Sequence, residues 1–530
     1  MMYTLRQKVV WFAISSRIFV LLAQCVFNAI IPDHDAEDVF RRPILPTKEE
    51  KFLDRLVDVL LGGLERWDAQ YFLHIAEHGY VYENTLAFFP LFPITVRFLS
   101  ICLNILTRGL MSYRSLLLIT SVSLNTVCFV KAADALFHLS IKVLDNEAWA
   151  YKAALLFCIN PASIFFSAPY SEAMFVLLSF QGMRHSIDRQ YSKLSAIPFG
   201  LAAAARSNGV LNVGFIIYCS MKQFISEEWP ILSRKRGFKN KLLLPLKIVY
   251  SISRLSESCI IALAPFMAYQ VYCYVLFCTS QKLYIPEYVL EYGRERNFIL
   301  PQFSENFTRE PDHWCYLPFP LAYSYVQNHY WNVGFLRYYQ WKQFPNFILA
   351  APIVFLVLWN SKIYFLQNKK ILLNLGLKLG DKTEKSDELH SKMPANMFVF
   401  VVHVVFLTIF CMAFVHIQVA TRMICSASPV PYWFAGYMLN YRLKSGSSSK
   451  TRDPKTLVTS QLKKLQARRS KYGVYKESSL SIELLDNMNS KWQVILLSHT
   501  PNSQGKWVLL YFSLYALIGT VLFSNFLPWT

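Results

Sequence analysis

The chain is 530 residues long, with 54% apolar, 16% aromatic and only 17% charged residues. Its charges cluster between long apolar runs, which excludes an ordinary soluble multidomain protein, because about twenty consecutive apolar residues let an α-helix cross a bilayer. A formal net charge of +20 would suggest nucleic-acid binding in a soluble chain. Here lysine and arginine lie mostly in short polar segments between apolar runs, where they hold a loop on the cytoplasmic side, and no nucleic-acid partner is expected.

Arg6 and Lys8 precede an apolar, aromatic run from Val9 to Ile31, which Pro32 and a cluster of acids follow. A cleaved signal peptide has a shorter apolar core and a small-residue cleavage site, so this run reads as an uncleaved first span with a cytoplasmic N-terminus. Further spans are expected at 87–107, 115–139, 150–167, 170–187, 195–219, 245–279, 345–366, 394–419, 423–440 and 507–527. The fold class is therefore an all-α polytopic membrane protein with about eleven crossings. The run 245–279 exceeds one straight crossing and contains Pro265, so a kink or tilt is expected there.

Alternate threading of these spans places loops 32–86 and 280–344 in the lumen. The first holds twice as many acids as bases, and the second carries the sequon Asn306-Phe307-Thr308. Loop 220–244, with Arg234, Lys235, Arg236, Lys239 and Lys241, falls in the cytoplasm together with loop 367–393 and its six lysines. The basic, Ser-rich stretch 441–506 is also cytoplasmic and reads as a flexible insertion. It is either a solvated linker or a surface for anionic lipid headgroups. This divides the chain into a transmembrane region 1–440 with its two lumenal loops, the insertion, and a final span with a lumenal C-terminus at 507–530. The same count puts Ser167 to Glu172 on the cytoplasmic side, although its polarity suits a substrate cavity. Cys102, Cys128, Cys158, Cys219 and Cys411 sit inside apolar runs, and no disulfide pairing can be deduced.

The richest polar text is RWDAQYFLHIAEHGY at 66–80, followed by AFFPLFP at 87–93. Trp67, Tyr71 and Ile75 share one face of a short helix that Gly79 is suited to end, and Asp68 lines the adjoining face. At a membrane surface, Asp68 would point to where a lipid headgroup enters. It can act as general base for a sugar hydroxyl attacking an anomeric carbon, or it is a helix cap or a solvated acid. One carboxylate suffices for single-displacement inversion, because phosphate is already a good leaving group. His74 and His78 stand at i and i+4, a weak metal signal. The Asp33-His34-Asp35 match to a nucleotide-sugar motif is discounted in so acidic a loop. Arg206 and Arg422, at the ends of spans, are candidates to hold a lipid-linked phosphate. Their alternative role is structural pairing, for instance with Glu172, or snorkelling at a helix end.

The segment RWDAQYFLHIAEHGYVYENTLAFFPLFP at 66–93 resembles the signature of the mannosyltransferases that add the second mannose during glycosylphosphatidylinositol (GPI) anchor assembly. Further similar blocks are NPASIFFSAPYSEAMF at 160–175, RSNG at 206–209, HIQVATRMICSASPVPYWF at 416–434 and FSNFLPWT at 523–530. The blocks run in family order over nearly the whole chain, and the first and last are the specific ones. Loop 441–506 is longer and more basic than the family pattern, so nothing functional is carried onto it.

The resemblance implies a GT-C-type transmembrane helix bundle in the endoplasmic reticulum with lumenal catalysis. It implies dolichyl-phosphate-mannose as donor, a mannosylated GPI-precursor glycolipid as acceptor, and an inverting α-1,6 transfer. It implies no metal cofactor, and it leaves room for a small membrane subunit. The family's Trp-Asp pair falls on Trp67 and Asp68, which makes Asp68 the expected catalytic residue. Trp67, Glu172, Arg206, Asn208 and Arg422 are the expected substrate-binding residues. A lipid-sugar flippase would favour polar sites on broken helices at the membrane midplane instead. A mannosyltransferase of another glycan pathway would differ only in acceptor, and a non-catalytic scaffold would not need a placed acid.

Overall fold

The computed structural model describes residues 3–35, 39–43, 51–188, 192–228, 238–280, 284–301, 313–377, 392–440 and 503–529, which are helical with no strand among them. Six segments are long and apolar enough to cross a membrane: Leu5–Ile30, Tyr113–Leu144, Pro245–Cys278, Trp341–Gln367, Ala395–Phe414 and Ser503–Ser524.

Helix α1 (Leu5–Ile30) begins with a capping box in which Thr4 accepts from the Gln7 backbone and Gln7 returns the contact, so two orphan N–H groups are satisfied where the helix starts. It leads into a module of three shorter helices, α2 (Phe52–Leu61), α3 (Asp68–His78) and α4 (Leu91–Thr107). Helix α5 (Tyr113–Leu144) then returns along α1. At its start, Asp54 of the module accepts from Ser112 N and Ser115 Oγ, both at 2.7 Å. Toward its other end, Asp134 pairs with Arg6 at 2.7 Å. These contacts define two ends of the bundle, the module end and the end where α1 begins.

Helix α6 (Glu147–Cys158) and the turns after it lead back to the module, where Tyr170 Oη accepts from Asp68 N at 3.1 Å. Arg17 of α1 is fully buried against these turns, donating to Ser163 O at 2.7 Å and Ser167 Oγ at 3.0 Å. Such satisfaction is what makes a buried guanidinium tolerable. Helix α7 (Glu172–Ile187) runs the opposite way, ending where Lys142 pairs with Asp188 at 2.5 Å. Helices α8 (Ser192–Ala205) and α9 (Val213–Gln223) form a hairpin, with the Phe199 and Phe215 rings 6.1 Å apart. Helix α10 (Phe238–Cys278) is continuous over 41 residues, with Pro245 and Pro265 inside it, and is about 60 Å long. Near its end, Tyr269 Oη donates to Leu86 O of the module at 3.0 Å.

Two short helices, α11 (Glu287–Glu295) and α12 (Ala322–Trp331), cover the module. Helix α13 (Phe344–Gln367) leaves it, and α14 (Phe398–Phe414) comes back. Helices α15 (Ala420–Ala427) and α16 (Val430–Asn440) make one broken pass, along which Trp433 Nε1 donates to Ser140 Oγ at 2.7 Å. Helix α17 (Ser503–Ser524) ends at the module, where Asn525 O accepts from His34 N at 2.9 Å.

Two of the expected runs thread the bundle differently. The run 87–107 is not a pass: Arg97 on α4 donates to Glu77 O at 2.7 Å, and Lys51 reaches Gly109 O just beyond α4. The helix therefore starts and ends at the module. Its apolar residues Ile94, Phe98, Ile105 and Leu106 are exposed on the outer face, and a window of hydropathy cannot tell such a face from a crossing. The run 195–219 is two passes, because the chain reverses at 206–212. A Cβ on Gly209 would meet Ala203 N at 2.5 Å and Ala202 O at 2.6 Å, so only glycine permits that turn to fold onto α8. Between the two corrections, every pass runs opposite to the expected direction. Ser167 to Glu172 consequently lies at the module end, beside Asp68. The sequon Asn306, most of loop 367–393, the Arg234–Arg236 cluster and residues 441–502 of the insertion lie outside the described residues.

Candidate active site

Asp68 is the first residue of α3, where a carboxylate is favoured by the positive end of the helix dipole. The chain enters through Trp67 at φ 55° and ψ −127°, a conformation L-residues rarely adopt unless their surroundings over-determine it. The surroundings do so here. Arg66 pairs with Asp33 at 2.9 Å and donates to Asn28 Oδ1 at 3.0 Å and Ser524 O at 3.3 Å. The Trp67 ring meets Phe526 edge-on at 6.0 Å. The C-terminal segment thus braces the turn that presents Asp68. Gly79, at φ 84°, ends α3 as the sequence predicts.

Four of the expected site residues meet in one alternating chain of charge. Arg422 Nη1 donates to Asp68 Oδ2 at 2.8 Å, and its Nε lies 3.0 Å from Glu172 Oε1. Arg206 Nη1 reaches the same Glu172 oxygen at 2.5 Å and Ser171 Oγ at 3.3 Å. The Arg422 guanidinium also lies over the Phe165 and Tyr170 rings, at 5.3 and 5.4 Å. Glu172 is fully buried, whereas the Asp68 side chain is 32% exposed. Asp68 is therefore held on one oxygen and open on the other.

The pairing of both arginines with Glu172 is the structural alternative the sequence left open. Around this chain of charge, the buried donors with no hydrogen-bond partner among the described residues are Arg206 Nε, Arg422 Nε, Asn208 Nδ2 and Trp67 Nε1. Asn208 lies at the hairpin tip and makes no hydrogen bond to the four-residue chain among the described residues.

Two other buried carboxylates of the module are held by several donors each. Glu65 accepts from Arg42 at 2.6 Å and from Arg114 at 2.8 Å. Burial acts to raise its pKa, but these guanidiniums outweigh it and hold the carboxyl below its ordinary range. Glu83 is buried and accepts from His313 at 2.7 Å, Trp314 Nε1 at 2.9 Å and Tyr330 Oη at 3.0 Å. Burial again opposes these donors, and again they prevail, leaving Glu83 below the usual value.

His74 is buried with neither ring nitrogen hydrogen-bonded, stacked on Tyr82 at 4.8 Å. Burial, then His78 and Arg42, push its pKa well down. No group of three or more metal-type side chains includes His74 and His78 among the described residues.

Sequence reasoning missed three features of this end. Tyr170 Oη supports the Asp68 backbone, a role only its place in the polar stretch Ser167 to Glu172 hinted at. Glu83 ties the two loops together, and nothing in its spacing signals that. Cys278 and Cys315 form a disulfide across a sequence separation of 37 residues, which spacing alone does not reveal.

An acid presented at the mouth of an apolar helical bundle, backed by buried guanidiniums, has the form of a membrane-type group-transfer site. The chain belongs to the mannosyltransferase family described as Mannosyltransferase (PIG-V), whose model matches residues 6–530; it is a glycosyltransferase. Among its relatives, GPI alpha-1,6-mannosyltransferase 2 of Rattus norvegicus is 38% identical, over 99% of both chains. The Homo sapiens protein of the same name is also 38% identical, over 99% of both. GPI mannosyltransferase 2 of Drosophila melanogaster is 34% identical, over 99% of this chain and 100% of its own.

Proposed function

We propose that this chain transfers the second mannose, in α-1,6 linkage, from dolichyl-phosphate-mannose to a GPI-precursor glycolipid at the lumenal face of the endoplasmic reticulum. The names of its relatives supply the linkage and the anchor pathway. The observation that carries the chemistry is Asp68, open on one oxygen and held on the other by Arg422.

Asp68 takes the proton from the acceptor hydroxyl as that oxygen attacks the anomeric carbon of mannose. The bond to the phosphate oxygen breaks on the opposite face, so a β-linked donor yields an α-linked product and dolichyl phosphate leaves. Arg422 fixes the carboxylate's orientation. Its charge and that of Arg206 are balanced by Asp68 and Glu172, so donor binding relies on unfilled hydrogen-bond capacity. Arg206 Nε, Arg422 Nε, Asn208 Nδ2 and Trp67 Nε1 are donors with that capacity among the described residues, suited to the phosphate and sugar of the lipid donor. The polyprenyl tail lies among the helices, and a small membrane subunit remains compatible with this arrangement.

The topology follows from eleven passes, α1, α5, α6, α7, α8, α9, α10, α13, α14, α15–α16 and α17, each read as a crossing from a cytoplasmic N-terminus. Two features favour a lumenal module. The lysine-rich loops join helices at the opposite end, and the Cys278–Cys315 disulfide sits at the module end, where an oxidising compartment is needed. The test is complementation of cells lacking the second GPI mannosyltransferase. Restored surface GPI-anchored protein is expected; persistence of a one-mannose precursor despite correct expression would refute the assignment.

A further inference from the structure

At the end of the bundle away from Asp68, α13 and α14 enclose an open groove of about 460 Å³. Its position is fixed by Tyr364 Oη donating to Ala395 O at 3.1 Å and Asn368 Nδ2 donating to Met393 O at 3.3 Å. The groove is apolar along Phe365, Leu372 and Val405, and Lys362 and Lys369 stand in its lining. Ser361 also lines it; this residue is 2% exposed, yet its hydroxyl finds no hydrogen-bond partner among the described residues. A buried hydroxyl left without a partner costs free energy unless something supplies one. Trp359, half exposed, lies 5.7 Å under the Lys362 ammonium, the arrangement of an aromatic residue at the polar boundary of a bilayer.

We infer that this groove binds an anionic diacyl glycerophospholipid. The acyl chains lie on Phe365, Leu372 and Val405. An ester carbonyl accepts from Ser361 Oγ, and the phosphate and its anionic headgroup meet Lys362 and Lys369. Lysine serves here as a point charge beside the headgroup, a use for which bidentate geometry is not needed. A zwitterionic lipid would fill the apolar part and leave one of the two ammonium groups without a counter-charge, and a neutral lipid would leave both. The proposal uses no residue of the Asp68 site.

The test is native mass spectrometry of the full chain, equilibrated with phosphatidylserine, phosphatidylcholine or dolichyl phosphate. Selective retention of phosphatidylserine is expected. Lys362→Ala with Lys369→Ala should weaken it about thirtyfold, from roughly a lysine's worth of surface attraction at each position. The Lys→Arg pair should restore it. Ser361→Val, which leaves both charges in place, should weaken retention several-fold and guards against misfolding of the alanine pair. Equal retention of phosphatidylcholine, preference for dolichyl phosphate, or retention unchanged in both sets of variants would overturn the proposal.

Discussion

Asp68 and Glu83 are carboxylates of the same module with opposite fates. Glu83 is fully buried, and His313, Trp314 and Tyr330 donate to its two oxygens. Asp68 is one-third exposed, and among the described residues its side chain is bonded only through Oδ2 to Arg422. A saturated acid costs too much to protonate and serves as a clamp between loops. An acid with one open oxygen, fixed in direction by a guanidinium, can receive a proton. The contrast teaches that catalytic capacity lies in incomplete satisfaction of a well-held group.

The comparison breaks most visibly if the two acids are neutralised in turn. Asp68→Asn should cut transfer about a thousandfold, within the range for losing a general base, and should lower thermal stability less than Glu172→Gln does, because Asp68 is one-third exposed. Glu172→Gln removes the anion shared by Arg206 and Arg422. It should destabilise the chain by about 3 kcal/mol, as expected when a buried ion pair loses one partner, and lower kcat because Asp68 loses its brace. Glu83→Gln should cost about 2 kcal/mol in thermal unfolding while the folded fraction keeps kcat within a few-fold.

The smallest effect is a pH dependence of module stability. His74 is neutral in the fold, its pKa held down chiefly by burial. The unfolded chain therefore binds more protons below about 6.5, and stability falls as pH drops from there. Glu83, with a depressed pKa, adds stability that is present above about 4.5 and lost as pH falls through its folded value. Tryptophan fluorescence during acid unfolding should follow both limbs, with His74→Phe flattening the upper and Glu83→Gln the lower.

Much of this was legible from sequence. Apolar runs mark α1, α5, α10, α13, α14 and α17, and the polar text at 66–80 marks the module and Asp68 itself. Asp68 stands out in the polar text of the first loop, and Glu172, Arg206 and Arg422 stand out as polar residues within or at the ends of spans, where unpaired charge is costly. Their junction was not legible, because Arg422 and Asp68 are 354 residues apart. The direction of the passes was not legible either. The exposed face of α4 looks apolar in the same way as a crossing, and the reversal is marked only by the short polar stretch Arg206-Ser207-Asn208-Gly209 within the run 195–219. The first of these facts places Ser167 to Glu172 at the module end, which reconciles its polarity with its place, and the second restores the expected direction from α10 onward.

The most direct measurement is single-turnover transfer by the purified full-length chain, from dolichyl-phosphate-mannose to the one-mannose GPI precursor. Wild type, Asp68→Asn and Glu83→Gln would be compared at matched folded concentration. The account predicts α-1,6 product from wild type and Glu83→Gln and about a thousandfold slower transfer from Asp68→Asn. Wild-type transfer rates in folded Asp68→Asn would contradict it.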